Sequence, residues 1–117
     1  MITINKLLIS DETFTLIPDE EVYIQLWANI TNCILSTKIL TSGGTYSVQS
    51  TIESKDFFDL TTTTHSDIQW EYIKIDGIEY TELNEDIKSL EFVSPSILYI
   101  KNTSLTQSIR FSLRGNK

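Results

Sequence analysis

Ile73-Lys74-Ile75-Asp76-Gly77-Ile78-Glu79-Tyr80 is the stretch that decides the fold class. Asp-Gly supplies the two positive-φ positions of a type I′ turn, whose twist suits two antiparallel strands. Closing a hairpin on it sets Ile75 opposite Ile78 and Ile73 opposite Tyr80, so all four share one face. The same register sets Lys74 opposite Glu79 on the other face, an attractive cross-strand pair. A slip of one residue would undo both features together, so the register is well specified.

The same period of two extends outward from this hairpin. Val22, Ile24, Leu26, Ala28 and Ile30 fall on one side of a strand, with Tyr23, Gln25, Trp27 and Asn29 on the other. Ile109, Phe111 and Leu113 alternate with Ser108, Arg110 and Ser112, whereas Ile97-Leu98-Tyr99-Ile100 is apolar on both sides, as a central strand would be. The pattern predicts strands over 2–9, 13–17, 21–30, 33–40, 45–53, 57–63, 68–75, 78–83, 87–93, 96–102 and 107–113. The last strand is expected at a sheet border with a frayed tail, and 82–90 is the one stretch that could hold a helical turn. Strands this numerous and evenly spaced predict an all-β antiparallel sandwich, jelly-roll or Ig-like, with little or no helix. Composition agrees: Ile and Thr, stiff at Cβ and suited to a pleated surface, abound, while Ala28 is the single alanine. The 117 residues and 40% apolar content suit one domain spanning 1–117 with its own core.

Charge is unevenly placed. The net charge is −7, yet every acidic residue lies at or before Glu91, and only Lys101, Arg110, Arg114 and Lys117 carry charge beyond it. An acidic chain argues against nucleic acid as a partner, because that affinity is mostly cation–phosphate neutralisation. The basic end can pair with the acidic body of the same chain or with that of a neighbouring copy. Cys33 stands alone, which excludes an internal disulfide and a cysteine zinc site. The first residues lack a charged region followed by an apolar run, so the expectation is a protein not secreted by a signal peptide, and no apolar run is long enough for a membrane span.

Residues with chemistry are sparse. His65 is the single histidine and sits with Ser66 and Asp67 in a polar loop, where loop neighbours rarely point at one another as a hydrolase triad requires. Asp56, Asp59 and Asp67, with His65 among them, offer carboxylate oxygens for Ca²⁺ but match no recognised loop. No phosphate-binding, dinucleotide or zinc-protease motif is present. The reading is therefore a non-enzyme with no cofactor and no metal. The aromatics are more suggestive. Tyr23 and Trp27, with Trp70 and Tyr72, fall opposite the apolar faces of their strands, and outward-facing rings stack on sugars or anchor a protein interface. The alternative places Trp27 and Trp70 in the core. The candidate interface or ligand-binding residues are thus Tyr23, Trp27, Trp70, Tyr72, Arg110 and Arg114, the arginines facing an acidic partner.

Ser94-Pro95-Ser96-Ile97-Leu98-Tyr99-Ile100-Lys101-Asn102-Thr103-Ser104, followed by Ser108-Ile109-Arg110-Phe111-Ser112-Leu113, resembles the closing hairpin of small β-sandwich virion accessory proteins of tailed phages. In those proteins an apolar strand ending in Lys-Asn-Thr turns into a last Ser-rich strand. The resemblance implies a self-assembling capsid, neck or tail component, located in the virion or host cytoplasm, with other copies or other virion proteins as partners. A carbohydrate-binding module that uses the outward aromatics is the alternative, with a glycan as partner.

Overall fold

The computed structural model describes residues 2–27, 30–52, 66, 68–93 and 95–116. The expected strand 57–63, His65, Asp67, the Asp56/Asp59 pair and the threonine run 61–64 lie outside these residues. Eleven strands are found among the described residues: β1 (Ile2–Leu8), β2 (Asp11–Leu16), β3 (Glu20–Leu26), β4 (Asn32–Ile39), β5 (Tyr46–Thr51), β6 (Glu71–Tyr72), β7 (Lys74–Ile75), β8 (Ile78–Glu79), β9 (Leu90–Val93), β10 (Ile97–Asn102) and β11 (Ile109–Asn116). They form a β-sandwich. The first sheet has the order β1-β3-β10-β5-β6, the second β2-β11-β4-β9, and β7-β8 is a separate ribbon.

The ribbon forms as its sequence dictates. Asp76 and Gly77 take φ of 51° and 80°, and Lys74 pairs with Glu79 and Ile75 with Ile78. The Tyr80 N–H donates to the Ile73 carbonyl, which continues the same register. Ile73 is buried and Ile75 packs against the core, while Ile78 near the turn is exposed.

Three expectations are revised. β1 pairs with β3 in parallel, because β2 crosses to the other sheet and β3 then returns beside β1. The 82–90 stretch holds no helical turn. It runs extended along the side of the sandwich, bridged to β5 at Tyr46–Leu83 and to β4 by the Thr37 N–H on the Ile87 carbonyl. β11 is not a border strand: it sits between β2 and β4 and pairs through Asn116, with Ile109, Phe111 and Leu113 facing the core.

The core is the inner faces of both sheets. Val22, Ile24, Leu26, Val48, Leu98 and Ile100 from the first meet Leu35, Ile109, Phe111 and Leu113 from the second. One open side is closed by Lys6, which pairs with Glu12 at 3.0 Å and lies 5.4 Å over the Phe14 ring. The other side is closed by 82–90.

Cys33 is fully buried on the inner face of β4. Burial, with the Glu91 carboxylate as a smaller cause, pushes its thiol from 9.0 up to about 12. Burial likewise raises the Tyr46 hydroxyl from 10.0 to about 12, against a lowering hydrogen bond from Thr37. Both groups release their protons more readily once unfolded. Their contribution to stability is therefore complete below the unfolded values and is lost as pH climbs toward the folded ones. The urea midpoint should hold from neutrality to about pH 8.5 and fall steadily above it. Cys33→Val should remove the first part of that decline. A midpoint flat to pH 11 in the natural chain would refute the burial argument.

Candidate functional site

The sequence-derived candidates do not form one site. Tyr23 lies on the outer face of β3, and Trp70 folds over it with ring centroids 6.0 Å apart. Tyr99, from the neighbouring strand β10, completes the cluster at 4.8 Å from Tyr23 and 5.9 Å from Trp70. Its hydroxyl donates to the Glu21 carboxylate. Burial, then that carboxylate, drives the Tyr99 hydroxyl far above its ordinary range. Ile68 packs on Ile97 beside the cluster, and Tyr72 sits on β6, two strands from Tyr99, opposite Gln49 on β5. These rings point away from the main core, as the alternation of β3 indicates, but they pack on one another into a second apolar layer. Tyr99 is 8% exposed and Ile97 1%. The rings of Tyr23 and Trp70 are thus engaged within the chain. Trp27 stands apart, 48% exposed just beyond β3, with exposed Leu7 and Ile9 on the adjacent strand and turn.

Arg110 and Arg114 occupy the opposite face of the molecule. Both project from the outer side of β11, exposed, and neither makes an ion pair among the described residues. Of the basic end, Lys101 reaches Asp19 at 4.0 Å. The pairing of basic end with acidic body that the charge asymmetry suggested is confined, among the described residues, to that contact.

One concavity among the described residues is not marked by the sequence. A groove of about 520 Å³ runs along 82–90, with Ile75, Leu83, Ile87 and Leu90 as its apolar lining and three carboxylates, Glu82, Glu85 and Asp86, against one cation, Lys88, among its charged residues. Its shape is set by a buried chain of hydrogen bonds. The Ile87 N–H donates to Thr37 Oγ1 at 2.8 Å, and the Tyr46 hydroxyl donates to the Glu85 carbonyl at 2.6 Å. Tyr46 has a single proton and a carbonyl can only accept, so in the 2.8 Å contact between the two hydroxyls Thr37 is the donor. The series Ile87 to Thr37 to Tyr46 to Glu85 therefore runs in one direction, the arrangement in which successive bonds polarise one another.

The rim carboxylates differ. Asp86 accepts from the Ile39 N–H at 2.8 Å and from Lys38 Nζ at 3.2 Å, and the first of these chiefly holds its carboxyl below the ordinary range. Glu82 and Glu85 are exposed and make no ion pair among the described residues, so their charge faces whatever enters the groove. The doublet Glu85-Asp86 was visible in the sequence. The apolar residues beneath it were misleading, because Leu83, Ile87 and Leu90 stand at i, i+4 and i+7, the spacing of a helix face, whereas the segment forms no helix.

No protein-family model and no curated protein matches the chain. Among solved structures it is similar to Aeromonas hydrophila PliG, a periplasmic lysozyme inhibitor of g-type lysozyme, with a TM-score of 0.42, 8% identity and 98% of each chain covered. It is also similar to a mutant of the Escherichia coli PliG, again a periplasmic inhibitor of g-type lysozyme, with a TM-score of 0.44 and 6% identity over 99% of this chain and 100% of that one. The expectations of a phage virion component and of a virion or host-cytoplasm location without secretion are corrected by these findings, since both structures are periplasmic inhibitors and neither is a virion protein. The Lys-Asn-Thr pattern of the closing hairpin has a local structural cause, the buried side chain of Asn102.

Proposed function

We propose that the chain is a non-enzymatic protein that acts by binding a cationic segment of a protein partner, docked in the groove along 82–90. The observation that carries this reading is the pairing of an apolar lining with two open carboxylates, Glu82 and Glu85, at its edge. Apolar contact supplies affinity and the rim charges select the sign of the partner. The net charge of −7 steers the same class of partner toward the surface. The described aromatic layer and the buried thiol serve the scaffold, which leaves the groove as the concave, chemically mixed surface best suited to recognition.

The test is fluorescence anisotropy with a labelled peptide alternating lysine and leucine. Saturable binding that weakens with salt is expected, and Glu82→Lys combined with Glu85→Lys should cost about tenfold in affinity or more. Unchanged affinity in that variant, or tighter binding of an acidic peptide, would remove the reading. The same variant decides a second reading, favoured by the exposure of Arg110 and Arg114, in which the cation belongs to another copy of the chain. Sedimentation of the natural protein would then show salt-sensitive dimers that the variant lacks.

A further inference from the structure

We infer that the outer face of the second sheet carries a binding site for an acidic sugar, a hydroxylated ring bearing a carboxylate. Strand register builds it. Ser112 on β11 lies opposite Thr13 on β2 and Ser36 on β4, which gives a row of three hydroxyls across the sheet. In the next row on the same face, roughly 7 Å away, Arg114 lies opposite Asp11 and Ile34. The edge segment then adds Lys88, and together these residues line a second groove, of about 420 Å³.

Each feature of the groove selects part of the ligand. In a chain with 16 acidic and 9 basic residues, Arg114 and Lys88 make no ion pair among the described residues, so two cations and the single carboxylate of Asp11 line one groove. The guanidinium fork matches a carboxylate in a two-pronged hydrogen bond, with the ammonium as a second charge. Thr13 and Ser112 hold each other at 3.2 Å, while the Ser36 and Ser89 hydroxyls have no hydrogen bond to described protein groups. Hydroxyls of this kind both donate and accept, as ring hydroxyls do. Asp11 discriminates further. Its carboxylate repels a bare inorganic anion yet accepts a proton from a ring hydroxyl, and half-buried Ile34 offers apolar contact to the C–H side of a ring. The site lies on the sheet opposite the Tyr23, Trp70 and Tyr99 layer and needs no stacking platform.

Backbone amide NMR of the full chain tests this with glucuronate, galacturonate and N-acetylneuraminate, against glucose, galactose, sulfate and phosphate. At least one acidic sugar should produce saturable shifts at Ser36, Ser112 and Arg114, and the neutral sugars none. Arg114→Gln should weaken that sugar about tenfold or more, while Arg110→Gln, one row beyond the hydroxyls, leaves it unchanged. The spectrum of each variant reports its fold in the same experiment. The proposal is overturned if no acidic sugar moves these resonances. It is equally overturned if sulfate or phosphate moves them as well as any sugar does, or if a natively folded Arg114→Gln protein binds as before.

Discussion

Phe111→Ala should cost about 4 kcal/mol of stability. Phe111 is fully buried at the centre of the second sheet. Its ring stacks on Phe14 from β2, with centroids 5.6 Å apart and planes at 24°, and meets Tyr46 from the first sheet edge-on at 5.6 Å. Truncation therefore removes a large apolar surface, opens a cavity between the sheets and leaves two aromatic partners without their contact. A fold of this size holds roughly 5–15 kcal/mol in total, so the variant would be close to the limit of folding, with Tm lowered by about 15 °C or more. Phe14→Ala is the comparison. Phe14 is half-buried on the edge strand, where solvent can fill the space, and its cost should be less than half as large. Equal losses from the two, measured by urea denaturation, would mean that Phe111 is not the central packing element.

How much of this was legible in the sequence depends on whether a residue's role is local. Asp76-Gly77 encodes its turn in two adjacent residues, and the Ile75–Ile78 and Lys74–Glu79 pairs follow from it without reference to the rest of the chain. Ile97-Leu98-Tyr99-Ile100 announces a strand covered on both faces, and β10 does lie between β3 and β5 with Ile68 and Trp70 over its outer side. Alternation in β11 identifies which residues face inward but carries no information about neighbours, so its place between β2 and β4 could not be read. Pairing partners are a property of two strands, and one strand's pattern is silent on them.

The functional surfaces were hidden for the same reason. Tyr23 and Trp70 lie together on the outer side of the first sheet. Tyr99, which joins them, looked like core because it sits in an apolar run, and only the register Tyr23–Tyr99 brings the three rings together. The groove is made by 82–90 leaning on Tyr46 and Thr37, through hydrogen bonds between residues far apart in sequence. Arg110 and Arg114 were selected on charge alone. What gives Arg114 a setting is Ser36 and Ser112 in the adjacent row, an arrangement that exists only once β11 is placed beside β4.

Asn102 is where a sequence pattern acquires a physical explanation, and Asn102→Leu should cost about 3 kcal/mol or more. Asn102 ends β10 with its side chain directed inward and no exposure to solvent. Its amide donates to the Leu16 carbonyl at 2.9 Å and to the Gln107 carbonyl at 2.7 Å, while its Oδ1 accepts from the Ser104 N–H at 2.9 Å. One side chain thus satisfies the end of β2, the approach to β11 and the first turn of the crossing between the sheets. This explains why an apolar strand here ends in Lys-Asn-Thr-Ser: the sandwich needs a short side chain with two donors and an acceptor at that position. Leucine matches its size but removes a hydrogen bond from each of two carbonyls and an N–H, and each buried group left without a partner costs about 1–3 kcal/mol. Asn102→Asp separates packing from hydrogen bonding. It keeps the acceptor for Ser104 and sets a carboxyl against two carbonyl oxygens, which favour its protonated form and raise its pKa above the unfolded value of about 3.9. A group raised in this way stabilises fully below the unfolded value and loses its contribution as pH rises. The Asn102→Asp protein should therefore approach the natural chain in stability near pH 4 and fall away toward pH 7, whereas the deficit of Asn102→Leu stays constant over that interval. Urea denaturation at both pH values checks this, and a deficit for Asn102→Asp that does not grow with pH would show that the two carbonyls do not face this side chain in solution.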